Sequence, residues 1–123
     1  MLILNADTTR ALLDHAECVN VMACAMSAHS SGRVKAPVRQ VIPLGDHGHF
    51  FVMPGAMADG PVYGAKLVNL VPGNPQRGFP NVQGFIFLFD HETGVPLALV
   101  DGTTVTYIRT AAVSALATRE LAR

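Results

Sequence analysis

Arg39, Lys66 and Arg109 are the residues whose types and settings point to chemistry. Lys66 interrupts an apolar strand pattern, Ala65-Lys66-Leu67-Val68-Asn69-Leu70, and period-two alternation puts it on one face with Val68 and Leu70. An ammonium in such company must either point to solvent or reach a buried anion. Arg39, in Pro37-Val38-Arg39-Gln40, is similarly placed in an extended stretch after a proline. Arg109 falls in what reads as the first turn of the last helix. A cation there opposes the macrodipole and costs a few tenths of a kcal/mol or more unless an anion offsets it. A helix start with free N–H groups plus a guanidinium suits a carboxylate or phosphate, and a guanidinium grips a carboxylate through two parallel hydrogen bonds. The structural alternatives are an ion pair of Arg109 with Asp90 or Asp101, and plain solvent exposure of Lys66 and Arg39.

Other chemistries find less support. His47 and His49, with Asp46, alternate through a turn but lack a third and fourth ligand at sensible spacing, so no metal site is expected. No serine sits in a G-x-S-x-G context and no Cys–His pairing is evident, which leaves covalent hydrolysis unsupported. Gly73 to Gly78 has the glycine spacing of a phosphate loop but not the Lys-Ser/Thr that follows one. Cys18 and Cys24, six apart in a helical pattern, are separated by about 9 Å along the axis and face different ways. They read as buried thiols, not a disulfide.

These side chains need elements to hold them. Met1 to Leu4 reads as a short strand, and Asn5 to Thr9 offers caps for a helix. A second helix spans about His15 to His29, with Val19, Met22, Ala23 and Met26 on one face. Val38–Leu44 and His49–Met53 flank Gly45-Asp46-His47-Gly48 as a hairpin. A loop from Pro54 to Pro61, a strand from Gly64 to Val71 and a long loop from Pro72 to Gly84 follow. Phe85–Asp90 and Pro96–Val100 form a second hairpin around His91-Glu92-Thr93-Gly94, with Gly94 in the left-handed turn position. Thr103, Thr104 and Thr106 offer caps to a final helix burying Ile108, Ala111, Ala112, Ala115 and Leu116. Helices first, then antiparallel strands, then a helix argue an α+β fold: N-terminal helices packed on a mostly antiparallel sheet, with a C-terminal helix.

The 123 residues suffice for one domain and one core. Nine basic residues balance nine acidic ones, so no net field draws the protein to nucleic acid or an anionic membrane. Apolar runs fall short of a bilayer span and no secretion signal is recognisable, so a cytoplasmic location is expected. Half of the residues are hydrophobic and 15% charged, more apolar than an ordinary soluble domain. An interface is expected, most simply that of a homodimer.

The motifs GAKLVNLVPGN, QGFIFLFDHETGVPLALVDG and TVTYIRTAAVSALATRELAR resemble the N-terminal portion of the ornithine cyclodeaminase and mu-crystallin family over about Met1 to Arg123. That family carries an arginine in a P-x-R strand, a lysine in a G-x-K strand and an arginine in an R-T-A-A helix, matched here by Arg39, Lys66 and Arg109. The resemblance implies that these three bind the α-carboxylate of a small amino, imino or keto acid, with Lys66 also catalytic at the reacting imine or amine. It implies that Thr110 lies near an NAD or NADP cofactor, and that the reaction is hydride transfer, closer to the mu-crystallin-like reductases than to the deaminating branch. In the family the last helix leads into a dinucleotide-binding domain, and no residue of one is recognisable here. The expectation is therefore a substrate-binding and dimerisation domain over 1–123 that lacks the dinucleotide-binding domain. Alone it should be inactive and bind cofactor poorly. The rival expectation is a non-catalytic assembly or small-carboxylate-binding module, or a split subunit needing a separate nucleotide-binding chain.

Overall fold

The computed structural model describes residues 1–122. Strand β1 (Leu2–Leu4) leads into helices α1 (Ala6–Leu12) and α2 (His15–Ser30). Strands β2 (Val34–Lys35), β3 (Gln40–Pro43), β4 (His49–Met57), β5 (Val62–Leu70), β6 (Val82–Asp90) and β7 (Pro96–Asp101) follow, and α3 (Gly102–Leu121) closes the chain. The described residues thus form three helices on a mostly antiparallel sheet ordered β1-β7-β6-β5-β4-β2, with β3 also on β4. The β1–β7 pair is parallel. The α+β expectation holds.

Each α-helix starts on a short polar side chain that accepts a hydrogen bond from a free N–H of the first turn. Asn5 Oδ1 takes Thr8 N at 2.9 Å, Asp14 Oδ1 takes Glu17 N at 2.8 Å and Asp101 Oδ1 takes Thr104 N at 2.7 Å. The β6–β7 hairpin turns on Asp90, whose Oδ1 accepts from Thr93 Oγ1 at 2.7 Å and from Thr93 N at 2.8 Å. These bonds, the Thr93 hydroxyl first, hold the Asp90 carboxyl below its ordinary pKa. Gly94 takes the positive φ, 70°, that the turn requires.

Several boundaries differ from the sequence reading, among them that of Val82 to Gly84, which open β6 instead of ending the loop from Pro72. Val38 and Arg39 precede β3 instead of belonging to it. Strand β4 runs through Pro54 to Met57, because β3 pairs with residues 49–52 and β2 with residues 56–57. Pro54 lies in the gap between these outer strands, where an absent N–H leaves no ladder broken. Val62 and Tyr63, left between the expected loop and strand, belong to β5. Cys24, expected buried, is exposed on α2, while Cys18 is half-buried.

Alternation divides the sheet into two faces. One carries Phe51 and Met53 of β4, Gly64, Lys66 and Val68 of β5, Gly84, Ile86 and Leu88 of β6, and Ala98 and Val100 of β7. Helix α3 lies on this face, α1 packs on α3 and β7, and α2 packs on α3. Between them sits the core: Ala28, Val68, Ala98, Ile108 and Ala112. Small residues here bring helix and sheet close. A Cβ on Gly102 would stand 3.0 Å from the Gly84 carbonyl and from Phe85 N.

The opposite face presents Phe50, Val52, Leu67, Phe85, Phe87 and Leu99, with Tyr63 stacked on Phe89 at 5.4 Å between ring centroids. The contacts of the helices lie on the other side, and Phe85 is 52% exposed. The accessible surface is 8348 Å². A compact monomer of this mass exposes only about 6,400 Å². No described helix is long and apolar enough to cross a membrane.

Candidate functional site

Lys66 is the centre of the site. It projects from the middle of β5, opposite Met53 on β4 and Ile86 on β6. Ile86 offers no hydrogen-bond acceptor in its side chain, and Met53 only a weak thioether one. Its ammonium donates instead to Thr106 Oγ1 on α3, at 3.4 Å. Burial lowers the Lys66 pKa from its ordinary value, and the Arg109 and Arg39 guanidiniums lower it further.

The two arginines come from different elements. Arg39, just before β3, places its guanidinium carbon 5.8 Å from the centre of the Phe51 ring. Phe51 is two residues along β4 from Met53, on the same face as Lys66. Arg109 stands three residues after Thr106 on α3. It is not in the first turn of that helix, as the threonine-rich stretch suggests. Asp101 caps the helix, which begins at Gly102, so Arg109 lies about two turns in. The argument from free N–H groups at a helix start therefore fails for Arg109, while the electrostatic coupling to Lys66 stands.

Neither candidate ion pair for Arg109 forms. Asp101 is engaged as the α3 cap and Asp90 in its turn. Among the described residues the ion pairs are Arg10–Asp7 and Arg119–Glu120, so Arg39, Lys66 and Arg109 have no carboxylate partner, and Arg39 and Arg109 are exposed. Thr110 is exposed beside Arg109, and its Oγ1 donates to Thr106 O at 2.6 Å. With its proton so committed, it offers lone pairs to any neighbour.

From Lys66 a groove of about 340 Å³ runs along the sheet over Met53, Gly55, Gly64, Ile86 and Leu88 toward Met57 and Val34. Gly55 and Gly64 face one another in register and leave its floor without side chains. Phe51 and Arg39 lie to one side of Lys66, and this apolar groove to the other. Among the described residues no group of three or more His, Cys, Asp or Glu is arranged to hold a metal. Thr106, Phe51 and Met53 are the site residues that sequence reasoning missed. A hydroxyl three residues before Arg109 was the available signal, but its role depends on how α3 crosses β5.

The profile of the ornithine cyclodeaminase/mu-crystallin family matches residues 1–123. The chain belongs to that family. Among curated relatives of this family, Delta(1)-pyrroline-2-carboxylate reductase of Bacillus cereus is 35% identical over the whole chain. The chain spans 38% of that relative's length. The structure of Thermococcus litoralis Delta(1)-pyrroline-2-carboxylate reductase in complex with NADH and L-proline superposes with a TM-score of 0.95 at 36% identity, over 100% of this chain and 38% of that one. An archaeal alanine dehydrogenase dimer with bound NAD gives 0.94 at 32% identity, with the same coverage. The family membership expected from the sequence motifs is thus shown, and the two solved relatives hold NADH with L-proline and NAD respectively.

Proposed function

We propose that residues 1–123 are the substrate-binding and oligomerisation portion of an NAD(P)-dependent reductase of a small imino acid. Arg39 and Arg109 hold the substrate carboxylate, and Lys66 stands at the reacting nitrogen. Reduction of an imine adds hydride to carbon and a proton to nitrogen. The nicotinamide supplies the hydride. This chain supplies the rest: a carboxylate grip, a nearby ammonium to bond or protonate the nitrogen, and an apolar groove for the aliphatic part. The reading is supported by the half-buried Lys66, whose pKa Arg109 and Arg39 lower, and by the lack of a carboxylate paired with any of the three among the described residues. Arg39 and Arg109 are exposed, so the cost falls on the half-buried Lys66, and an anion beside it would offset that cost.

The described residues fit a dinucleotide poorly. Tight binding of a pyrophosphate needs a strand, a glycine turn and a helix N-terminus, and β1–β7 is the parallel pair present, with no such crossover between them. Thr110 fits the nicotinamide end alone. The dinucleotide site is therefore assigned to residues outside 1–123, whether in the same polypeptide or a separate chain. The helix-free aromatic face and the surplus of roughly 1,900 Å² of surface over a compact monomer support a homodimer through that face.

Calorimetric titration of the purified chain tests this. L-Proline or a small α-keto acid should bind, and Arg109→Ala should weaken binding by up to about fivefold, as expected for an exposed ionic contact. NADH should bind more weakly than micromolar. Submicromolar NADH affinity, or hydride transfer by the chain alone, would refute the assignment. Loss of carboxylate binding altogether would favour a purely assembling role.

A further inference from the structure

We propose that Thr106 is a positioning residue for Lys66: its hydroxyl oxygen receives one N–H of the ammonium and so fixes where the other two are offered. This rests on the reading of Lys66 as the group that meets the substrate nitrogen. The hydroxyl of Thr106 has a single proton, and that proton is given to Gly102 O at 2.6 Å. What Oγ1 turns toward Lys66 is therefore a lone pair. The contact is an acceptor for the amine and not a competitor for its hydrogen atoms.

The position of that oxygen is set by the backbone of the β7–α3 junction. Asp101 caps Thr104 N at 2.7 Å, Thr103 Oγ1 accepts from Gly84 N at 3.2 Å, and Gly102 lies against the Gly84 carbonyl. These contacts seat the first turn of α3 on β6 next to β5. One turn further, residue 106 falls over Lys66. The i−4 bond to Gly102 O also holds the threonine in one rotamer. Thr106 is the one hydrogen-bond partner of Lys66 Nζ among the described residues. The titratable or charged groups acting on it are Arg109 of α3 and Arg39 before β3, while its neighbours on β4 and β6, Met53 and Ile86, carry none.

An amine-selective acylating reagent, with peptide mass mapping across pH, reads the neutral fraction of Lys66. Thr106→Val keeps the shape and removes the acceptor, and Thr106→Ala does so with the best helix former should the valine fail to fold. Either removes a partner that favours the charged form. The labelling midpoint should move down in pH, and the rate below it should rise about three- to tenfold. Thr106→Ser should restore the original profile. Valine and alanine profiles that superimpose on the unmodified protein, or a serine profile shifted as far as theirs, would overturn the proposal. Protection of Lys66 from the reagent by L-proline tests the substrate reading separately. If protection is absent while the Thr106 shifts appear, the substrate reading fails and the geometric role of Thr106 stands.

Discussion

Replacing Lys66 with methionine should stabilise the fold at neutral pH while abolishing carboxylate binding. Burial, Arg109 and Arg39 all depress the Lys66 pKa, so the folded state binds that proton less tightly than the unfolded state does. Below the depressed value the full penalty is present. As pH rises from there toward the ordinary 10.5, the penalty is relieved and wild-type stability increases. Methionine has a similar volume and suits the apolar neighbours Met53 and Ile86. Its main loss is the long 3.4 Å contact to Thr106, which keeps its bond to Gly102 O. Lys66 is only half-buried, so solvent screening limits the gain to about 0.5–1 kcal/mol. For a chain of this length that is a rise in Tm of about 2–5 °C. Thermal denaturation followed by circular dichroism at equal protein concentration, at pH 7 and again near pH 11, is the assay. The difference between the two proteins should shrink at the higher pH. A lower Tm at pH 7, or a gain that persists unchanged at high pH, would show that Lys66 carries no uncompensated charge penalty.

Arg109→Ala should raise the pH midpoint for acylation of Lys66, and Arg39→Ala should raise it less, since the Arg109 guanidinium acts more strongly on that amine. Unchanged midpoints would mean that the three cations do not share a cleft. Asp101→Ala should cost about 0.5–2 kcal/mol in chemical denaturation, because it frees the Thr104 N–H at the start of α3. Phe85→Asp, on the helix-free face, should shift the protein from dimer to monomer in sedimentation at tens of micromolar. An unshifted profile would place the interface elsewhere.

What was legible in the sequence was what local chemistry decides. The β6–β7 hairpin follows from Gly94 at its turn, and the helix expected over about His15 to His29 is α2, His15–Ser30. The alternation around Lys66 correctly placed it with Val68 and Leu70. Errors arose where tertiary context decides. Pro54 looked like a loop residue because its tolerance depends on a gap between two other strands. The threonines after Gly102 looked like caps because a glycine is a poor first helical residue. Its use becomes visible only when Gly84 is seen beneath it. The Thr106–Lys66 contact links residues 40 apart and needs both the β5 register and the α3 crossing.

The same contrast separates scaffold from site. Along α3 every hydroxyl at four-residue spacing, Thr106, Thr110, Ser114 and Thr118, returns its proton to the helix carbonyl four residues earlier. Asp14, Asp90 and Asp101 are each consumed by a backbone N–H. The polar groups of the scaffold satisfy one another locally, as buried and half-buried polar groups must. Arg39, Lys66 and Arg109 form no ion pair among the described residues. They come from three segments distant in sequence, and burial together with the two arginines depresses the proton affinity of Lys66. Lys66, half-buried and with its pKa lowered, carries a stability cost that a nearby anion would relieve. On the proposed reading, that anion is the carboxylate of a small substrate.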